Sequence, residues 1–184
     1  MNRISFIVPG PPTPKERPKL NKFGRAVTPE KTLAAERRVE EITTSAMDGR
    51  EPFFGPIRLF VTMVFETPSS WNKQEREDAI SGLMPHVSTP DMDNVEKMVC
   101  DGMNGVVYYD DSQVAEKHSF KRYGVGNRIE VTAEVMPFPQ SHPALAALRK
   151  RIAEGKYDVK AGETRRRTPK AKAPETSIGR RIRK

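Results

Sequence analysis

The 184-residue chain contains a single cysteine, Cys100. An intrachain disulfide is therefore impossible, and a zinc site built on several thiolates is excluded. Long apolar runs are missing as well. The N-terminus reads MNRISFIVPGPP, and its apolar run meets prolines within a few residues, too soon for a secretory leader or a membrane span. No later stretch approaches the ~20 apolar residues that a membrane helix needs. The expectation is a cytoplasmic protein with no membrane partner. Histidine is scarce: His86, His118 and His142 are scattered and share no ligand spacing, so each reads as a surface or packing residue. Internal repeats are absent.

Positive charge is present, but unevenly. The formal net charge is +8, yet residues 149–184 hold 14 Lys and Arg against 4 Asp and Glu. Residues 1–148 hold 18 basic and 20 acidic residues. All of the positive excess sits in the C-terminal tail, which fits either an arm that meets a polyanion such as nucleic acid or a solubilising segment. From residue 155 the tail has almost no apolar residues and is expected to be disordered.

Ahead of the tail, 36% hydrophobic residues supply one modest core. Residues 4–8 read as a strand, followed by an extended loop imposed by Pro9, Pro11, Pro12, Pro14 and Pro18. That loop carries Lys15, Arg17, Lys19, Lys22 and Arg25, a candidate track for DNA phosphates. Thr28-Pro29 reads as a helix start with Thr28 as N-cap; Ala35, Val39, Ile42 and Ala46 then form one apolar stripe, and Gly49 ends it. Residues 57–66 alternate as a strand, and Phe60 and Val64 on its second face make it central. A charged helix is expected over 69–82, with Trp71, the lone tryptophan, docking it. A further helix is expected over 93–103, with Asp93 and Glu96 resembling a capping box and Gly105 as the stop. Residues 113–123 and 127–136 read as a hairpin about Gly124-Val125-Gly126, and a short helix follows near 143–154. The fold class is α+β: a mixed, partly antiparallel sheet packed by two or three helices in a single domain over 1–139, with a basic tail over 140–184. A chain cut near Pro139 keeps every expected strand.

The chemistry concentrates in Thr89-Pro90-Asp91-Met92-Asp93-Asn94-Val95-Glu96-Lys97-Met98-Val99-Cys100-Asp101 and, downstream, Asp110-Asp111-Ser112-Gln113. Hard divalent cations take oxygen ligands, often one or two carboxylates with water and substrate phosphate. Asp91 ends a loop and Asp93 opens a helix, so both can face one small space. At about 100° per residue, Asp93, Lys97 and Asp101 step round the helix by only about 40° each time. Taken singly, each has an ordinary explanation: Asp93 as an N-cap, Lys97 in i,i+4 ion pairs, Asp110-Asp111 as a turn. Together, so many aspartates repel one another unless a cation sits among them. An EF-hand is excluded, because the position that needs glycine is Glu96.

The run PDMDNVEKMVCDGMNGVVYYDDSQV resembles the signature of the RusA-type Holliday junction resolvases, P-D-x-D-N-x-x-K, then D-x-x-N-G, then D-D-x-Q-V/I. The matching positions are Pro90, Asp91, Asp93, Asn94, Lys97, Asp101, Asn104, Gly105, Asp110, Asp111, Gln113 and Val114. The likeness spans residues 3–136; the segment 68–89 is absent from compact bacterial members, and the tail after Pro139 lies outside the pattern. The resemblance implies a homodimeric, Mg²⁺-dependent endonuclease (Mn²⁺ as substitute) that resolves four-way DNA junctions by paired nicks, in a bacterial or phage-infected cell. It assigns the metal to Asp91, Asp93 and Asp111 and an essential role to Lys97. Asp101, Asp110 and Asn94 are expected just behind them. A nuclease for flaps or other branched DNA, and a DNA-binding protein without catalysis, are the alternatives. A sugar-nucleotide transferase with an Asp-x-Asp pair is disfavoured by the missing nucleotide-binding βαβ unit.

Overall fold

A computed structural model describes residues 2–160; the expected disorder of the tail beyond 160 lies outside the described residues. Its main sheet has four strands, β1 (Arg3–Pro9), β4 (Ile57–Glu66), β5 (Val114–Gly124) and β6 (Arg128–Val135), in the order β1-β6-β4-β5. A two-stranded ribbon, β2 (Lys19–Leu20) with β3 (Ala26–Val27), stands apart from it. The helices are α1 (Glu30–Met47), α2 (Lys73–Ile80), α3 (Met92–Met103) and α4 (Pro143–Ala153). The fold is α+β with a mixed sheet, as expected.

β4 is central: Ile57, Leu59, Val61 and Met63 on one face are fully buried, and so is Val64 on the other. It pairs antiparallel with β6 and parallel with β5. The hairpin expected between β5 and β6 therefore does not form; β4 lies between them. Strands two places apart in a sheet are separated by about 10 Å, a gap that three residues can bridge. Val125-Gly126-Asn127 makes that crossing over the end of β4, where Asn127 Oδ1 accepts from Glu66 N at 3.0 Å. A Gly-rich turn between two strands is ambiguous between a hairpin and this arrangement.

Helix boundaries moved where a better cap was at hand. α2 begins only after Asn72, which forms a full capping box with Glu75, rather than at the expected residue 69. Trp71 docks beside it, tilted against Tyr123 at 5.1 Å. α1 starts at Glu30 with Pro29 in the cap position, and Thr28 does not cap it. α3 has Asp91, not Asp93, at its N-cap, so the Asp93/Glu96 capping box is absent. α1 and α3 meet so closely that a Cβ on Gly102 would stand 2.6 Å from Val39 Cβ. The core lies between these helices and one sheet face, with Val39, Val95, Met98, Val99 and Met103 inserted against it.

α4 lies where the sequence places a short helix, and it is docked. Leu145 is buried, and Arg149 stacks on Phe54. The residues after it cross the loop that follows α3: Lys160 N donates to Gly105 O at 2.7 Å, and Tyr157 packs near Tyr109. Residues 143–160 thus lie against the α+β domain. No described helix is long and apolar enough to cross a membrane.

Candidate active site

α3 packs beside the start of β5, and the seam between them opens into a cavity of roughly 320 Å³. Its lining is Asp93, Lys97 and Cys100 from α3, Asp111 from the turn before β5, and Val114 and Lys117 from β5. The stripe on α3 is i, i+4, i+7, as 3.6 residues per turn requires: Cys100 lies only about 20° from Asp93 around the helix, whereas Asp101 lies about 80° away. Asp101 has accordingly turned out of the stripe.

The carboxylates in the cavity are free for other partners. Among the described residues, neither Asp93 nor Asp111 accepts a side-chain hydrogen bond or joins an ion pair, and Lys97 pairs with neither. The i,i+4 ion-pair explanation of Asp93 and Lys97 therefore does not hold. Asp91 stands at the helix entry, exposed, and its side chain makes no capping bond. It does not line the cavity, so the fold joins Asp93, Lys97 and Asp111 but leaves Asp91 beside them. No group of three or more His, Cys, Asp or Glu among the described residues is gathered tightly enough to hold a metal ion. The donor set still suits a hard divalent cation in the sparse manner of Mg²⁺, with two carboxylates on one cavity and room for water and phosphate.

Lys117 was missed from sequence. Its ammonium meets Glu96 at 3.0 Å, and Glu96 is only 12% exposed. The Glu96 hydrogen bond, against a burial penalty, lifts the Lys117 pKa above the ordinary lysine value, and Asp111 adds to the rise. The cavity therefore holds a lysine that stays charged. The available signal was alternation: Lys117 falls on the face of β5 that pairs with buried Leu59.

Asp110 and Asp101 have structural occupations. Asp110 caps the short turn Asp111–Gln113, accepting from Ser112 N at 3.0 Å. Asp101 binds Lys15, which also meets Glu36 at 3.2 Å. Burial works against the Lys15 charge, but the two carboxylates outweigh it and raise its pKa. Lys15, expected on a DNA track, is thus committed inside the protein. Its backbone N donates to Asn94 O at 2.9 Å, so Asn94 ties the proline-rich loop to α3. Arg17, Lys19, Lys22 and Arg25 remain exposed, with Lys19 near Glu16 at 3.8 Å. His86 packs against Phe65 and Tyr123, and Lys121 on β5 holds the loop before Asp91 through Pro90 O at 3.1 Å.

Comparison with known proteins agrees with this arrangement. The family model of endodeoxyribonuclease RusA matches residues 9–134, a span that includes every residue lining the cavity. The chain is also similar to the uncharacterized protein YqaN of Bacillus subtilis (strain 168), 31% identical over 145 residues, covering 71% of this chain and 95% of the relative.

Proposed function

Because the chain belongs to the RusA endodeoxyribonuclease family, we propose that it resolves four-way DNA junctions by divalent-metal-dependent hydrolysis of phosphodiester bonds, in recombination and repair. The observation that carries this reading is the cavity where unpaired Asp93 and Asp111 face Lys97 and Lys117. A pure DNA binder gains nothing from carboxylates aimed at phosphates.

Asp93 and Asp111 would hold Mg²⁺, or Mn²⁺ in its place, with Asp91 joining from the helix entry. The ion would supply polarisation of the phosphoryl oxygen and activation of the attacking water. Lys97 and Lys117 stand on either side of the cavity and offset negative charge as it builds on the phosphate in the transition state. Glu96 holds Lys117 in that place. A closed two-fold dimer would set two such cavities on opposite strands of a junction, whose own symmetry is two-fold.

The test is cleavage of synthetic four-way, flap and linear duplex DNA, with and without Mg²⁺. Asp93→Asn and Asp111→Asn should each lower Mg²⁺-dependent cleavage of the four-way junction by at least about a hundred-fold, with DNA binding near normal. Wild-type rates in either variant would remove that residue from the metal. Asp91→Asn reports on the acid outside the cavity in the same way. Faster cutting of flaps than of junctions would favour the other branched-DNA reading.

A further inference from the structure

The ribbon β2–β3 contributes nothing to the core and is built to display its tip. Asn21 closes the turn: its Oδ1 accepts from Phe23 N at 2.9 Å and from Arg25 N at 3.0 Å, while its N donates to Arg25 O at 2.9 Å. Gly24, at φ +71°, donates back to Asn21 O. A turn with this many internal bonds holds its shape without outside support. At its apex Phe23 is 75% exposed, with Lys22 Nζ 5.2 Å from the ring centroid. Leu20, also 75% exposed, and Val27 continue the apolar side of the ribbon.

The ribbon's charge says what it meets. From Arg17 to Thr28 there are four cations, Arg17, Lys19, Lys22 and Arg25, and no Asp or Glu. The root of the arm is fastened to the catalytic helix: Lys15 is bound through Asn94 O and Asp101 on α3, and Glu16 N donates to Thr32 Oγ1 on α1. The arm therefore springs from the helix that carries Asp93 and Lys97. From Glu16 to Phe23 an extended chain reaches at most about 25 Å.

We propose that Phe23 is a stacking platform for an unpaired or branch-point base, with Arg17, Lys19, Lys22 and Arg25 holding the phosphates on either side. An aromatic ring needs an open base face, which a continuous duplex hides within its stack and a branch point exposes. Cations interleaved with an exposed aromatic are how proteins hold unpaired nucleotides. The inference rests on the branched-DNA reading above and adds to it a means of telling branches from duplex.

The experiment measures binding of the full chain to a four-way junction and to a matched linear duplex, without divalent metal so that neither is cut. Because the ring is exposed and absent from the core, Phe23→Ala should keep the wild-type melting temperature. It should weaken junction binding roughly five- to hundred-fold, as expected for loss of one stacked base. Duplex binding and the salt dependence of affinity should stay unchanged, because no phosphate contact is lost. Phe23→Tyr should restore the junction preference. Equal junction binding by wild type and Phe23→Ala overturns the inference alone, as does a loss of self-association in Phe23→Ala, which would seat the ring on a second copy of the chain. Failure of the wild-type protein to prefer any branched DNA would overturn the proposed substrate and this inference together.

Discussion

Gln113 offers the sharpest test of how the fold holds Asp111, a proposed metal-binding acid. Its side chain is buried and fully occupied: Nε2 donates to Phe53 O and Gly55 O, each at 2.9 Å, and Oε1 accepts from Tyr109 N at 2.8 Å and Asp110 N at 3.2 Å. These four bonds pin the turn that presents Asp111. Gln113→Ala orphans two carbonyls on buried residues, at about 1–3 kcal/mol each, and two half-buried amides that water partly serves. The total is about 3–5 kcal/mol, which for a domain of this size lowers the melting temperature by about 10 °C. Gln113→Glu keeps the acceptor but sets a carboxylate against two carbonyls, and should fall at least as far. Calorimetry reads the stability. Cleavage below the melting transition then reads the placement of Asp111, since a folded variant with a loosened turn should lose kcat. A melting temperature within about 2 °C of wild type, or wild-type kcat in the folded variant, would refute the reasoning.

Two further expectations concern acid sensitivity and the C-terminal segment. Burial first, and Lys121 second, hold the His86 imidazole below its ordinary pKa. Unfolding releases it to take up a proton, so its contribution is complete above about pH 6.5 and is lost as pH falls through the folded value. His86→Phe keeps a ring against Phe65 and Tyr123 and should flatten the melting temperature between about pH 7 and pH 5; an unaltered profile would sink the assignment. Ending the chain after Lys160 removes nine Lys and Arg and two Glu, so it should leave melting unchanged while making the salt dependence of DNA affinity shallower. Ending it after Pro139 also removes buried Leu145 and the Lys160–Gly105 bond, so melting should fall by several degrees; equal melting of the two truncated chains would show α4 to be dispensable.

Much of this was legible before any coordinates, because it depended on local periodicity. The alternation of 57–66, with Phe60 and Val64 on the second face, identified the central strand, and the signature grouped Asp91, Asp93, Lys97 and Asp111, of which all but Asp91 line one cavity. What stayed hidden depended on partners distant in sequence. The order β1-β6-β4-β5 separates β5 from β6 by a strand that precedes both, and nothing within 113–136 encodes that intrusion. Lys15 read as a free cation because Asp101 and Glu36 lie far along the chain. The start expected at residue 69 lies three residues before the Asn72 cap, although Asn72 with Glu75 is itself a capping-box pair in the sequence.

The five aspartates of the signature looked like one cluster, and their mutual repulsion was the reason to put a cation among them. The fold divides that charge among separate tasks. Asp110 is consumed by capping a turn, and Asp101 is neutralised by Lys15. Of the five, only Asp93 and Asp111 line one cavity, and Lys97 and Lys117 beside them offset their repulsion. The neutralised acid still has a task. Through Lys15 it fixes the root of the basic arm to the helix of Asp93, so the arm and the cavity share one rigid support. If Asp101 were instead a direct ligand, its bond to Lys15 would have to break on metal binding and the arm would come loose from α3. Asp101→Asn in the folded protein separates the two roles, because it keeps a hydrogen-bond acceptor for Lys15 while removing the charge a metal would need. The fold as seen assigns Asp101 to the arm.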